Sequence, residues 1–233
     1  NSWYGSLMPG DYAYRYMKMA GELFPESVLL NINDYSSDKR YVNLVKDLLT
    51  RGCRIDVVGS QMHLFKPEDC LKIGDGEKGR RPVNSPQQIR DTMNLLSQLN
   101  RPIHLSEITI TSPGDDERGK AIQAVVARNL YRTWFSIKPM MGITWWNVVD
   151  DCGAPGEPTI SGIFTRDMQP KPSYYELNRL INDEWKTRET LKAGQDGTVK
   201  FRGFKGNYRV TYKNAAGSEQ TAEFHLSEDG DGV

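Results

Sequence analysis

Short apolar-rich segments, the first of them read as a continuous run, each followed by a stretch of helical periodicity, constrain this chain more than any other feature. Four runs begin near residues 28, 55, 103 and 142: Ser27–Asn33, Ile55–Gln61, Ile103–Ile110 and Gly142–Val149. A strand with one wet face alternates polar and apolar residues, whereas a continuous run suits a strand covered on both faces, as in a parallel sheet. Helices are predicted between the runs. One spans about Asp38 to Arg51, with Val42, Val45, Leu48 and Leu49 on one face and Gly52 as its stop. Others cover about Ser85–Leu99 and Asp116–Ile137, and a last one runs from Pro172 to about Trp185. A further helix, opening at Pro9 and Asp11 and ending at Pro25, precedes the first run. The polar, Gly-rich stretch Lys66–Pro86 reads as a long exposed loop, with Asp75–Arg81 as a solvated charged face. Four strand–helix units in succession argue for an α/β fold with a parallel sheet, and their spacing fits (β/α)8-barrel units with variable loops after the strands.

After Thr187 the texture changes. Thr190, Thr198–Phe201, Tyr208–Tyr212 and Thr221–Leu226 alternate in polarity and are separated by glycines, which predicts a small antiparallel unit of about four strands. The expected division is therefore 1–186 for the partial barrel and 187–233 for a small β-sandwich-like unit, whose acidic tail Glu228–Val233 is expected to fray. Lys plus Arg and Asp plus Glu are both 30, so the net charge is zero, a poor basis for binding nucleic acid. No apolar run approaches the ~18 residues of a membrane span. Cys53, Cys70 and Cys152 form no C-x-x-C pair, so neither a disulfide scaffold nor a zinc site is expected. A start at Asn1 without a leader suggests a processed chain or a fragment.

Polar residues gather where each predicted strand ends: Asn33-Asp34-Tyr35, Gln61-Met62-His63, Ser106-Glu107 and Trp145-Trp146-Asn147. In a parallel barrel these ends form one rim, where active sites sit. Bland alternatives stand beside each. Glu107 could be a structural ion-pair partner, His63 a satisfied core histidine, Gln61 a bridge between backbone groups, and Asn33 and Asp34 caps of the next helix. Trp145 and Trp146 point to opposite faces of a regular strand, so one is expected to pack under a helix and the other to face the rim.

Five segments, in order, resemble glycoside hydrolase family 10, the retaining endo-β-1,4-xylanases. Asn33-Asp34-Tyr35 looks like that family's fifth-strand NDY, and Ile55-Asp56 with Gly59-Ser-Gln-Met-His63 like its sixth-strand motif. Leu105–Ile110 is similar to the nucleophile segment, Thr144–Asp150 to the T-F-W-G-V-x-D segment, and Pro170–Tyr174 to the opening of the last helix. The resemblance covers roughly residues 10–185 and implies Glu107 as nucleophile. It implies Gln61 and His63 as residues that contact the sugar and orient that nucleophile, and Trp146 as an aromatic platform. Tyr35 matches a residue on the leaving-group side, and Asn33 falls in the same substrate-binding segment. Three departures stand out. The family's second tryptophan, due near Ala154, is absent; Thr109 replaces the usual aspartate; and no NE motif with the general acid/base occurs before residue 10, where Asn1–Gly10 resembles the loop just after it.

Retaining hydrolysis needs two carboxyl groups about 5–5.5 Å apart, and by motif this chain supplies one. The resemblance thus implies a secreted or cell-surface xylanase half that acts on xylan or xylo-oligosaccharides without a cofactor or metal. Four strands also leave two raw edges, so either the missing N-terminal half or a second copy is expected to complete the barrel. The alternative is an inactive xylan-binding or scaffold protein that assembles as a homo-oligomer. A weaker expectation makes the C-terminal unit itself a carbohydrate-binding module, through Phe201, Phe204, Tyr208, Tyr212 and Phe224.

Overall fold

The computed structural model describes residues 3–7, 10–74 and 85–227. The predicted charged loop Asp75–Arg81 and the acidic tail from Glu228 lie outside the described residues, as do the flanks of the first short helix. The chain forms two compact units, Asn1–Leu177 and Asn178–Val233.

The first unit follows the predicted alternation. Its elements are α1 (Trp3–Leu7), α2 (Tyr12–Leu23), β1 (Asn31–Asp34), α3 (Lys39–Thr50), β2 (Val57–Leu64), α4 (Pro67–Gly74), α5 (Pro86–Ser97), β3 (Ile103–Ile110), α6 (Glu117–Phe135), β4 (Met140–Trp145) and α7 (Pro172–Arg179). The strands form one parallel sheet in the order β1-β2-β3-β4. Side-chain caps start the helices: Asp38 accepts from the Arg40 and Tyr41 amides, Ser85 from Gln88 and Asp116 from Gly119. Gly52, at φ +77°, closes α3 in the left-handed conformation that a side chain disfavours.

Several predicted boundaries change. The stretch read as a loop after Leu64 opens with a helix, α4, whose Cys70 is fully buried. Its eight residues are too few for an apolar period to stand out. The paired part of the first run begins only at Asn31, leaving Val28 and Leu29 exposed ahead of it. The fourth strand ends at Trp145, so Trp146 and Asn147 lie just past its end, although the Trp146 amide still donates to Ile108 O at 2.8 Å. The last helix ends at Arg179 and continues as a π-helical turn, Leu180–Glu184.

The core lies where Val45 and Leu48 of α3, Leu96 of α5 and Ala127 of α6 meet Leu105, Ile108 and Ile110 of β3, all shielded from water. Each such Leu or Ile contributes about 1.5–3 kcal/mol. On its other face the sheet is polar and wet. Asn31 Nδ2 reaches His104 Nδ1 at 3.2 Å, His104 Nε2 reaches Thr144 Oγ1 at 2.9 Å, and Ser106 Oγ donates to Asn33 Oδ1 at 2.8 Å. Burial along the whole strand, the condition inferred from the continuous runs, holds best in β2. β1 and β4 are the sheet's edges among the described residues and are half exposed. α2 buries no residue and shows Met19, Leu23 and Phe24 to solvent.

In the second unit β5 (Gly206–Lys213) and β6 (Glu219–Leu226) form an antiparallel hairpin. The turn is tied by Asn214, whose Oδ1 accepts the Ala216 and Ser218 amides at 3.0 Å. Of about four predicted strands, two form among the described residues. Thr198–Phe201 is four residues bounded by glycines on both sides and finds no strand partner. Tyr208 stacks on Phe224 with ring centroids 5.4 Å apart, and Phe201 closes against both. Three of the five aromatics weighed as a sugar platform thus pack against each other.

Candidate active site

The site is built at the carboxyl ends of β2, β3 and β4. In the parallel register Gln61 lies opposite Glu107 and His63 opposite Thr109. Irregularities fall at Ser60/Gln61 on β2 and between Leu105 and Ile108 on β3. Such bulges re-aim side chains at sheet ends. Here they bring three groups together across 46 positions of sequence: Gln61 Nε2 donates to Glu107 Oε1 at 2.9 Å, and His63 Nε2 lies 3.4 Å from Glu107 Oε2. His63 Nδ1 meets Thr109 Oγ1 at 2.8 Å. With Nε2 protonated, the imidazole turns a donor toward Glu107 while Nδ1 accepts the threonine hydroxyl. Thr109, where the resemblance expects aspartate, thus still holds the ring but brings no negative charge to it.

Aromatic rings surround this cluster. Tyr35 lies parallel to His63 at 6.1 Å, Phe65 stacks on its ring at 4.6 Å, and Trp146 meets it edge-on at 6.4 Å. The two tryptophans part as the alternation predicts. Trp145 is buried and donates its indole N–H to Asn147 O and Ser161 O, while Trp146 is 45% exposed. Asn33 is not joined to Glu107 by a described hydrogen bond. It does not cap α3 either, a task that falls to Asp38. Asp34 accepts the Ser36 amide instead. A cavity of about 410 Å³ opens beside Tyr35, Gln61 and His63, but its other walls are Ile89, Met93 and Trp134, on the helix-covered side of the sheet. Glu107 and Trp146 do not line it.

One rim residue escaped the sequence reading. Glu157, on the loop after β4, accepts from the Trp146 indole, the Asn147 amide and the Ala154 backbone N–H. In the sequence it is one of three acids, with Asp150 and Asp151, in a Gly/Pro-rich loop, and nothing sets it apart.

Burial pushes the Glu107 carboxyl up, and the charge of Glu157 adds to the rise. Burial pushes the His63 imidazolium down, against an opposing pull from Glu157. Glu107 therefore holds its proton more tightly folded than unfolded. Its contribution to stability is full below the free-glutamate value of 4.5 and is lost as pH rises through the folded pKa. His63 behaves oppositely: its contribution is present above 6.5 and is lost as pH falls through its lowered pKa. In an NMR titration the His63 midpoint is expected below 6.5 and the Glu107 midpoint above 4.5. A His63 midpoint at or above 6.5 would contradict this account.

No group of three or more potential metal ligands occurs among the described residues, and no described helix is long and apolar enough to cross a membrane. Cys53 and Cys70 are buried free thiols and Cys152 an exposed one.

The carboxyl edge of a parallel α/β sheet thus gathers a half-buried carboxylate, an amide, an imidazole and an exposed indole, where sites on such folds sit. A profile of glycosyl hydrolase family 10 matches residues 1–180, and the chain belongs to that family. Among curated proteins it is 28% identical over 206 residues to the anti-sigma-I factor RsgI6 of Acetivibrio thermocellus, covering 87% of this chain and 24% of that protein. It is 24% identical over 197 residues to endo-1,4-beta-xylanase B of Thermotoga neapolitana, covering 80% of this chain and 52% of the xylanase. The chain thus spans about a quarter to a half of the length of these relatives. Among solved structures, the intracellular xylanase TsXylA of Thermoanaerobacterium saccharolyticum, in complex with xylotetraose, superimposes with a TM-score of 0.59 at 22% identity, over 76% of this chain and 52% of that one. Xylanase 10B of Thermotoga maritima gives 0.58 at 21% identity, over 75% and 52%. At these identities the structural likeness establishes the α/β fold.

Proposed function

We propose that this chain supplies the nucleophile side of a retaining endo-β-1,4-xylanase site, with Glu107 as nucleophile. The observation that carries the reading is the carboxylate itself, held between Gln61 Nε2 and His63 Nε2 at the strand ends, with Trp146 edge-on to the His63 ring. Gln61 and His63 orient Glu107 and contact the bound sugar, Trp146 stacks on a xylose ring, and Tyr35 and Asn33 extend the binding surface. The Glu107 carboxylate attacks the anomeric carbon, and the bond to the leaving oxygen breaks as that oxygen takes a proton. Water then hydrolyses the glycosyl ester and returns Glu107 as a carboxylate. The proton donor belongs to strands that complete the sheet into a barrel, from a further segment or a second copy. The two edge strands and the unburied apolar face of α2 support that completion. On this reading residues 1–186 form the barrel part of a secreted or cell-surface protein, and 187–233 an accessory β unit.

A second reading has a specific observation behind it. The described acid with an electrostatic influence on Glu107 is Glu157, whose carboxyl is held below the ordinary range and is a poor proton donor. A relative that aligns over 87% of this chain bears the name of an anti-sigma factor. The chain then binds xylan without cleaving it, as a homo-oligomer of half barrels.

An activated substrate separates the two. The leaving group of 2,4-dinitrophenyl β-xylobioside departs as a phenolate and needs no acid, so attack by Glu107 alone leaves a xylobiosyl ester on the chain. Mass spectrometry is expected to find that adduct on the peptide containing Glu107, on material whose assembly state has been measured by sedimentation. Xylohexaose binding without any adduct would favour the binding protein, and the absence of both would overturn both readings.

A further inference from the structure

Glu157 sits three residues beyond Ala154, on the loop from which the family's second tryptophan is missing. Its carboxylate collects three N–H donors: Trp146 Nε1 at 3.2 Å from each oxygen, Asn147 Nδ2 at 2.9 Å and the Ala154 amide at 3.2 Å. The turn that delivers it is closed by the Glu157 amide donating to Ala154 O at 3.0 Å. Gly153 is part of the fit, because a Cβ there would lie 2.9 Å from Glu157 Oε2 and 3.0 Å from Asn147 Nδ2. No cation is among these partners, so the charge is spent on orienting neutral donors. One of those donors is the half-exposed indole that meets the His63 ring edge-on.

We infer that Glu157 is a positioning residue that clamps the Trp146 indole in one orientation, so that a single fixed platform serves a rim lacking the second tryptophan. An exposed tryptophan on a loop has rotamer freedom to lose when a sugar stacks on it, and a carboxylate already bonded to its N–H removes that loss beforehand. Partial burial works against ionisation of Glu157. The hydrogen bonds from Asn147, Ala154 and Trp146, together with His63 nearby, outweigh it and hold the carboxyl below its ordinary range. The clamp therefore stays charged across neutral pH. Hydrogen bonds to a charged acceptor are worth more than neutral ones.

The inference rests on the sugar-site reading, and the test keeps the two apart. Indole N–H resonances of Trp145 and Trp146 are compared in the wild type, Glu157→Gln and Glu157→Ala, with Trp146→Phe for assignment, and xylohexaose affinity is measured by calorimetry. In Glu157→Ala the Trp146 resonance is expected to move upfield while Trp145, bonded to backbone carbonyls, stays in place. The dissociation constant is expected to rise about two- to tenfold. Glu157→Gln, which keeps one acceptor, recovers part of both effects. An unmoved Trp146 resonance, an unchanged affinity despite a moved one, or displacement of both indoles alike in both variants would overturn the clamp. If the wild type fails to bind xylohexaose while Trp146 alone still shifts, the clamp stands and the xylan reading falls.

Discussion

Glu107→Gln is expected to abolish dinitrophenolate release from the activated xylobioside, by at least roughly a thousandfold, with no covalent adduct left on the chain. The amide matches the carboxylate in shape but cannot attack an anomeric carbon. It can still meet Gln61 and His63, so folding should persist and the thermal midpoint serves as control. The neighbours predict a graded series. Gln61→Ala and His63→Ala each remove one partner of the charged oxygens, worth about 1.5–3 kcal/mol apiece, or roughly 10- to 100-fold in rate. If Glu107→Gln slowed release no more than Gln61→Ala does, Glu107 would be a binding group and another nucleophile would have to be sought.

The largest effect on stability is expected at Asp150. Lys171, 1% exposed, places Nζ 3.0 and 3.1 Å from the two Asp150 oxygens, and Asp150 Oδ1 also accepts the Gly162 amide at 2.7 Å. Burial pushes the Lys171 ammonium down, and Asp150 opposes that by favouring its charged form. Asp150→Ala strands a buried cation and a buried amide together, so a loss of about 3–5 kcal/mol is expected in denaturant unfolding. The double variant Asp150→Leu with Lys171→Met removes both charges and should recover most of it. A loss below about 1 kcal/mol in Asp150→Ala would mean that water reaches the pair.

The effect has a reach beyond the pair. Asp150 ends the segment that carries Trp146 and Asn147, and Lys171 stands immediately before α7. Two of the five segments that signalled the family are thus bonded to each other, and that bond ties down both ends of the Glu157 loop. In the sequence they were separate marks of resemblance; in the structure they are one buried contact.

How much was legible follows from the range of the forces involved. The third strand was predicted at its observed bounds, Ile103–Ile110, because eight residues that begin and end on isoleucine, between Pro102 and Thr111-Ser112-Pro113, carry the whole signal locally. The bounds of α3 were equally local, and its stop is a left-handed glycine, but its cap is Asp38 and not the Asn33 or Asp34 that the sequence offered. The helix α4 and the two missing C-terminal strands were misread, because an eight-residue helix and a four-residue alternation carry too little period to decide against glycines and polar neighbours. The hydrogen bonds of Glu157 were invisible, since an acid in an aperiodic loop beside Asp150 and Asp151 carries no pattern of its own.

The residue order of this protein, by itself, determined the strand–helix alternation, the inward sides of α3, α5 and α6, and which side-chain types arrive at the strand ends. Those properties depend on neighbours within a turn or two of chain. The tertiary structure decided how the pairing implied by the resemblance is made, with the Gln61 amide on Glu107 Oε1 across 46 residues, and it alone decided that Thr109 holds His63 and that Glu157 grips Trp146. Each depends on sheet register, on bulges near Gln61 and Glu107, and on a loop closed by a buried ion pair. A one-residue slip in any of them would turn the same side chains to the opposite face.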